Sequence, residues 1–264
     1  MGANEPRSAS NLKSDASDRR WLSWGDVCIL ICCIALSAGF LFLLQEQPEP
    51  LPDFGVLNTP ERKAQFFGYL SPMIAAVNEQ ARADRAFVLE ISQSVELSRR
   101  LAWFQRRRIE TLADRYEVPH NELDLSAVLR ELENRVGAVP ESLFLIQAAK
   151  ESGWGTSRFA IEGNNLFGQR CYSEDCGIVP LKRVAGASFG VAKFDSVAES
   201  VASYALNLNT HSQYSEFRAL RQELRARDEP LTGLALAYGL LGYSERGQDY
   251  VDEVRSMIRQ NGLE

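Results

Sequence analysis

The apolar and polar positions divide the chain into stretches of different character. Residues 27 to 44 read VCILICCIALSAGFLFLL, eighteen positions without a charged side chain. At about 1.5 Å per residue, a helix of that length nearly spans a hydrocarbon core. Trp21 and Trp24 precede it, where interfacial aromatics belong, with Arg7, Lys13, Arg19 and Arg20 further upstream. Glu46, Glu49 and Asp53 follow it, and no Lys or Arg returns until Arg62. The positive-inside rule then places the first 25 residues in the cytoplasm and the remainder outside. The reading is an uncleaved membrane anchor. A cleaved signal peptide is the alternative, with Ala35 and Ser37 as a weak cleavage site.

Beyond the anchor, QEQPEPLPDFG at 45 to 55 holds three prolines and little to pack, and reads as a stiff linker. After Pro60 the pattern turns helical. Val88, Ile91 and Val95 recur at helical spacing, followed by Leu101, Phe104, Ile109 and Leu112. VPHN at 118 to 121 breaks the pattern, LDLSAVLRELENRV resumes it, and GAVP at 137 to 140 breaks it again. Pro140 opens a helix, ESLFLIQAAKES, that stops at Gly153 and Gly155. Residues 163 to 194 are Gly-rich, turn-rich and β-tending. Helix returns at DSVAESVASYALNLN, with Asp195 or Ser196 as N-cap and Glu199 completing a capping box. The expected class is mainly α with a small β hairpin.

Composition narrows the function. Hydrophobic residues are 45% and charged residues 24% of the 264, which suits a globular chain. With 35 acidic against 29 basic side chains the net charge is −6, and phosphate binding would need the opposite balance. Nucleic acid is therefore not the expected partner. His120 and His211 are the two histidines, too few for a zinc hydrolase built on histidine ligands, and no metal or cofactor is expected. His211 reads as a surface residue. Arg99, Arg100, Arg106, Arg107 and Arg108 form a basic cluster, which reads first as a solvated helix face and second as a contact for anionic wall polymer or lipid headgroups.

Cys28, Cys32 and Cys33 lie in the apolar run and read as small hydrophobes. Cys171 and Cys176 lie in RCYSEDCG, where an oxidising compartment would let them close a small disulfide ring. A catalytic cysteine would need a histidine nearby, and RCYSEDCG has none.

The candidate for chemistry is Glu151. Phe144, Gln147 and Ala148 precede it by seven, four and three residues and share its helix face. That face is apolar, so the acid would emerge from the core side at the helix's C-terminal end. Burial and the helix's negative end both oppose ionisation and raise a carboxyl pKa. A carboxyl kept protonated near neutrality can serve as a general acid. Gly153 and Gly155 leave room for a bulky substrate, and Trp154 offers a flat apolar surface suited to a sugar ring. The plainer alternative is a helix-end Glu paired with Lys150 or Arg158.

AAKESGWGTSRFAIEGNNLFGQ at 148 to 169 resembles the glucosaminidase family, glycoside hydrolase family 73. The likeness runs through Glu151–Gly155 and Ser157, then Gly163–Gly168, then FDS at 194 to 196 with Glu199, Ser200 and Tyr204, and closes on GYSERGQDYVDEV with Tyr250. The anchor, the LPDF linker, the ERK-x-x-FF-x-YL start and the NLNTH stretch resemble the Bax-type glucosaminidase-domain proteins of Gram-negative bacteria, over roughly residues 51 to 264.

The resemblance implies a lysozyme-like α+β catalytic unit at 136–264, preceded by a cytoplasmic tail (1–25), an anchor (26–44), a linker (45–59) and a helical segment packed on the catalytic unit (60–135). It implies an inner-membrane, periplasm-facing endo-β-N-acetylglucosaminidase acting on the glycan strands of peptidoglycan, without a cofactor. The catalytic acid falls on Glu151 and a catalytic tyrosine on Tyr204. The second carboxylate belongs to the β lobe, where 169 to 193 hold only Glu174 and Asp175, and Glu174 is the first choice. Both also read as solvated residues at the tip of a disulfide-closed hairpin. A separation of about 5 Å from Glu151 would suggest a covalent route, and about 6.5–9.5 Å an inverting water. The substrate's own 2-acetamido group is the third route. Asn164 and Asn165 are candidate donors to substrate amides or turn formers, and Phe167 reads first as core and second as cleft lining. Tyr250 is a cleft residue on the same reasoning. A lytic transglycosylase or muramidase on the same scaffold, and a catalytically silent wall-binding protein, are the rival readings.

Overall fold

The computed structural model describes residues 50–173, 175–181 and 189–264. The expected cytoplasmic tail and anchor, residues 45–49 of the linker, and Glu174 lie outside the described residues. Among the described residues no helix is long and apolar enough to cross a membrane.

Pro48–Glu264 is one compact unit. Its longest element is α1 (Thr59–Glu96), started by Asn58, whose side chain accepts the Glu61 N–H at 3.1 Å. Phe66, Leu70, Ile74, Asn78, Ala81, Asp84, Val88 and Ile91 are its buried positions, a stripe at helical spacing. The stripe serves two cores. Phe66, Leu70 and Ile74 join the larger one. Val88 and Ile91 join a smaller one with α2 (Trp103–Arg115) and α3 (Leu125–Arg135). The first half of α1 thus contributes to the larger core and its second half to the smaller one.

α4 (Glu141–Ser152) sits at the centre of the larger core, and Leu143 through Ala149 are all buried. That stretch has no solvent face, which is why its apolar positions show little periodicity. α5 (Arg158–Gly163) follows, then three short strands, β1 (Arg170–Cys171), β2 (Gly177–Ile178) and β3 (Gly190–Ala192). α6 (Val197–Thr210), α7 (Ser215–Ala226), α8 (Gly233–Leu236) and α9 (Gln248–Gln260) close the fold around α4. Ser196 caps α6 by accepting the Glu199 N–H at 3.1 Å, and the Glu199 side chain accepts the Asp195 N–H at 2.8 Å, one residue before the N-cap whose N–H a capping box would engage.

Two expectations change. The β element is not a simple hairpin, because the order is β1-β3-β2 and both outer strands pair antiparallel with β3. Cys171 and Cys176 are disulfide-bonded and tie the two outer strands together. The linker's end also packs: Asp53 caps a short 3-10 turn over Phe54–Val56, and Phe54 is 1% exposed in the larger core. The result is a mainly helical unit with a small three-stranded antiparallel sheet, the architecture expected of a lysozyme-like α+β domain.

Two polar devices join the cores. Asn78 pairs its side-chain amide with the Val139 peptide, donating to its carbonyl at 2.8 Å and accepting its N–H at 2.9 Å. Arg221 of α7 is fully buried and donates to the carbonyls of Asn134, Arg135 and Gly137 and to Asn209 Oδ1, at 2.7 to 3.2 Å. Those carbonyls close the C-terminal end of α3, where a cation suits the helix dipole.

Candidate active site

A cleft of about 770 Å³ opens over the C-terminal end of α4. Glu151 and Tyr204 lie in it, between the segment Phe167–Arg170 before the sheet and the loop Gly242–Arg246 before α9. α4 stops where it does because Gly153, Trp154 and Gly155 all take positive φ, at 60°, 62° and 78°. Ser152 secures that reversal: its hydroxyl donates to the Ala148 carbonyl at 2.6 Å and accepts the Gly155 N–H at 2.8 Å. A Cβ on Gly155 would stand 2.6 Å from the Phe54 ring. Glycine is required there both for its backbone and for its neighbour.

Glu151 is exposed to the cleft while protein surrounds it on its other sides. Incomplete hydration raises its carboxyl pKa, the Tyr250 hydrogen bond and nearby Lys150 oppose the rise, and Glu253 adds to it. The net direction is upward. The expected greasy burial is thus a half-enclosed seat, wet on the substrate side. Neither cation of the plainer alternative pairs with it. Lys150 is bound to Glu253 at 2.7 Å, and Arg158 to Glu162 at 3.1 Å.

Its partner is instead Tyr250, whose hydroxyl donates to Glu151 Oε1 at 3.0 Å. Gln147 Nε2 donates to that hydroxyl at 3.0 Å, and the Tyr204 hydroxyl donates to Gln147 Oε1. The chain Tyr204–Gln147–Tyr250–Glu151 has one direction: the Tyr250 hydroxyl commits its only proton to Glu151, so Gln147 must turn its NH2 group toward that hydroxyl and its carbonyl oxygen toward Tyr204. Burial, then the charge of Glu151, pushes the Tyr250 hydroxyl far above its ordinary value. Burial likewise raises Tyr204 and Tyr243, and takes Tyr214 up to about 12. The tyrosines around Glu151 therefore stay protonated and act as neutral donors.

The predicted site residues separate into two groups. Glu151, Phe167, Tyr204 and Tyr250 come together. Phe167 stacks on Tyr204 with centroids 4.1 Å apart, and Tyr250, rather than Tyr204, touches the acid. The others lie elsewhere. Trp154 packs against Phe66 and Phe67 of α1 at 5.7 and 5.4 Å, away from the cleft. Asn165 is buried, donates to the Gln169 and Ala192 carbonyls and accepts the Phe167 and Gln169 N–H groups, which saturates its amide. Asn164 ends α5 in left-handed geometry, donates to the Phe194 carbonyl at 2.9 Å and lines a second cavity of about 520 Å³.

Sequence reasoning passed over Tyr243, Gln147 and Glu245. Tyr243 stacks on Tyr250 and donates to the Phe167 carbonyl at 3.0 Å. Gln147 carried a signal, being the one polar side chain in the buried run Leu143–Ala149, where it must find partners. Glu245 shares the cleft lining with Glu151, and these are the two carboxylates that line it among the described residues. His211 lines the cleft as well, and its Nδ1 accepts the Gln213 N–H at 3.2 Å. Among the described residues no group of three or more His, Cys, Asp and Glu side chains could hold a metal ion.

Residues 126–263 match the protein family described as mannosyl-glycoprotein endo-beta-N-acetylglucosaminidase, the glucosaminidase family. The chain belongs to the glucosaminidase family. It is also 36% identical over 203 residues to Protein bax of Escherichia coli (strain K12), across 77% of this chain and 70% of that protein. This is a Bax-type glucosaminidase-domain protein, and its domain is in general terms that of a glycoside hydrolase. No solved structure matches it. In this glucosaminidase domain the matched region begins within α3 and includes the whole cleft.

Proposed function

We propose that the protein is a peptidoglycan hydrolase, an endo-β-N-acetylglucosaminidase that cleaves the glycan strand after N-acetylglucosamine, with Glu151 as general acid. The observation that carries this is the seat of Glu151: a carboxyl of raised pKa, lining a cleft and held by a tyrosine rather than by a cation. A raised pKa lets such a group keep its proton to higher pH than a free glutamate, and it can deliver that proton to the glycosidic oxygen as the bond breaks. Tyr250 fixes the carboxyl in place and stabilises the anion left after transfer.

The second carboxyl function goes to Glu174, the first choice in the β lobe where the resemblance puts it, with Glu245, which lines the cleft, as its competitor. If neither is needed, the 2-acetamido group supplies the nucleophile. The chain acts on wall close to the inner membrane, held by the apolar segment 26–44 with its catalytic domain in the periplasm.

The test is digestion of purified cell-wall sacculi, with mass spectrometry of the products. Reducing N-acetylglucosamine ends are expected from the native protein, and a loss of about a hundredfold or more in Glu151→Gln. Anhydromuramic ends would assign a lytic transglycosylase instead. No release by the native protein would leave the wall-binding scaffold. Glu174→Gln and Glu245→Gln, compared in the same assay, decide the second carboxyl.

A further inference from the structure

The turn between α1 and α2, with the first turns of α2, forms a blunt tip on the smaller core. Residues 97 to 108 read LSRRLAWFQRRR, five arginines and no acid in a chain of net charge −6. All five guanidinium-bearing residues are exposed. Arg107 pairs with Glu110 at 3.1 Å, and Arg108 lies 4.1 Å over the Phe87 ring and 3.9 Å from the Asp84 carboxylate. Arg99, Arg100 and Arg106 have no ion-pair partner among the described residues.

Between the two arginine groups stand Trp103 and Phe104, 80% and 59% exposed. Their rings meet edge to face with centroids 6.2 Å apart and project as one apolar wedge. The wedge is held out by a fixed turn. Leu101 packs inward on the smaller core, and Gln105 Oε1 accepts the Ala102 N–H at 2.8 Å. A merely solvated helix face has no use for two large rings in water. No residue of this tip lines the catalytic cleft.

We propose that this tip is a docking surface for an anionic phospholipid bilayer. Guanidinium groups bond lipid phosphates through paired N–H donors. Tryptophan and phenylalanine settle at headgroup depth with their rings toward the acyl chains. A projecting wedge suits a surface that can be penetrated, whereas a glycan strand needs rings laid along a groove. A second copy of this chain would bring the same positive charge against it.

The compact unit 48–264 carries both cores, the disulfide and the cleft, so it is tested without the apolar segment, its cooperative thermal unfolding being checked first. Its co-sedimentation is measured with phosphatidylcholine vesicles, with and without phosphatidylglycerol. Binding is expected only with phosphatidylglycerol, and loss at high salt. Arg99→Ser/Arg100→Ser and Trp103→Ser/Phe104→Ser should each weaken it about tenfold or more, with unchanged thermal midpoints and unchanged glycan cleavage. Brominated phosphatidylglycerol should quench tryptophan fluorescence in the native unit and not in Trp103→Phe. The proposal is overturned by absent binding, by equal binding to both vesicle types, or by indifference to both double variants. It is also overturned if vesicles are ignored while the double variants abolish binding to sacculi, or abolish a dimer of the unit.

Discussion

A carboxyl serves as a general acid only while it keeps its proton, and at Glu151 two opposed influences set that condition. Partial removal from water raises the pKa, and the Tyr250 hydroxyl draws it back. Removing that hydroxyl should let it rise further. In Tyr250→Phe the alkaline limb of the pH–rate profile should move to higher pH, while the maximal rate falls about tenfold or more as the carboxyl loses its anchor. A profile that keeps its position would show that Tyr250 does not touch the acid in solution. Stability follows the same group. Glu151 binds its proton more tightly folded than unfolded, so its contribution is full below the ordinary value of about 4.5 and declines as pH rises through the raised value. Glu151→Gln, which cannot ionise, should therefore melt higher than the native protein at pH 7.5, and the difference should shrink toward pH 4. Thermal scans at the two pH values check this. Glu151 was legible in the sequence because an acid on an apolar helix face is anomalous. Trp154 packs on α1 rather than in the cleft, and Asn165 takes the turn-forming role of its two expected ones; tryptophan and asparagine serve packing and turns as readily as sugars, and only their neighbours distinguish the two.

At the scale of elements, the reversal after α4 places the acid, and its two glycines are not equivalent. Gly155 has φ at 78° with the Phe54 ring beside its missing Cβ, while Gly153 has φ at 60° with Thr156 Oγ1 at 3.4 Å as its nearest obstacle. Gly155→Ala should destabilise by about 3 kcal/mol, combining backbone strain with a clash in the core. Gly153→Ala should cost about 1 kcal/mol. Urea titrations of the two variants give the comparison, and equal losses would mean that Phe54 yields. The helices were legible because Pro140, Gly153 and Ser196 are punctuation with a physical cause. The strand order was not, since strands of two or three residues carry no alternation to read, and what makes β3 central is pairing on both of its sides.

At the scale of the molecule, Arg221 joins the two cores without a carboxylate. Burial holds its pKa well down, with Arg225, Arg85 and Arg218 adding to the effect, so the carbonyls at the end of α3 supply its compensation. Gly137 leaves the space it needs, because a Cβ there would stand 2.7 Å from the guanidinium. Arg221→Met keeps much of the volume and strands those carbonyls, and should cost about 3 kcal/mol or more. Arg221→Lys should recover little, since one ammonium cannot replace the planar fork. Denaturant midpoints of both variants test this, and a neutral Arg221→Met would make the contact ornamental. Nothing in the sequence marked Arg221 among 29 basic residues, because its importance lies in partners more than eighty positions away.

The 38-residue α1 presents one stripe to both cores and is locked to Val139 by Asn78 partway along. It behaves as a keyed shaft. Adding one residue near Asn78 would turn one end against the other by about 100°, so that only one set of teeth could stay engaged. Seven added residues would bring the phase back to within about 20°, which makes the length of this rod, modulo its pitch, a quantity the architecture has to conserve.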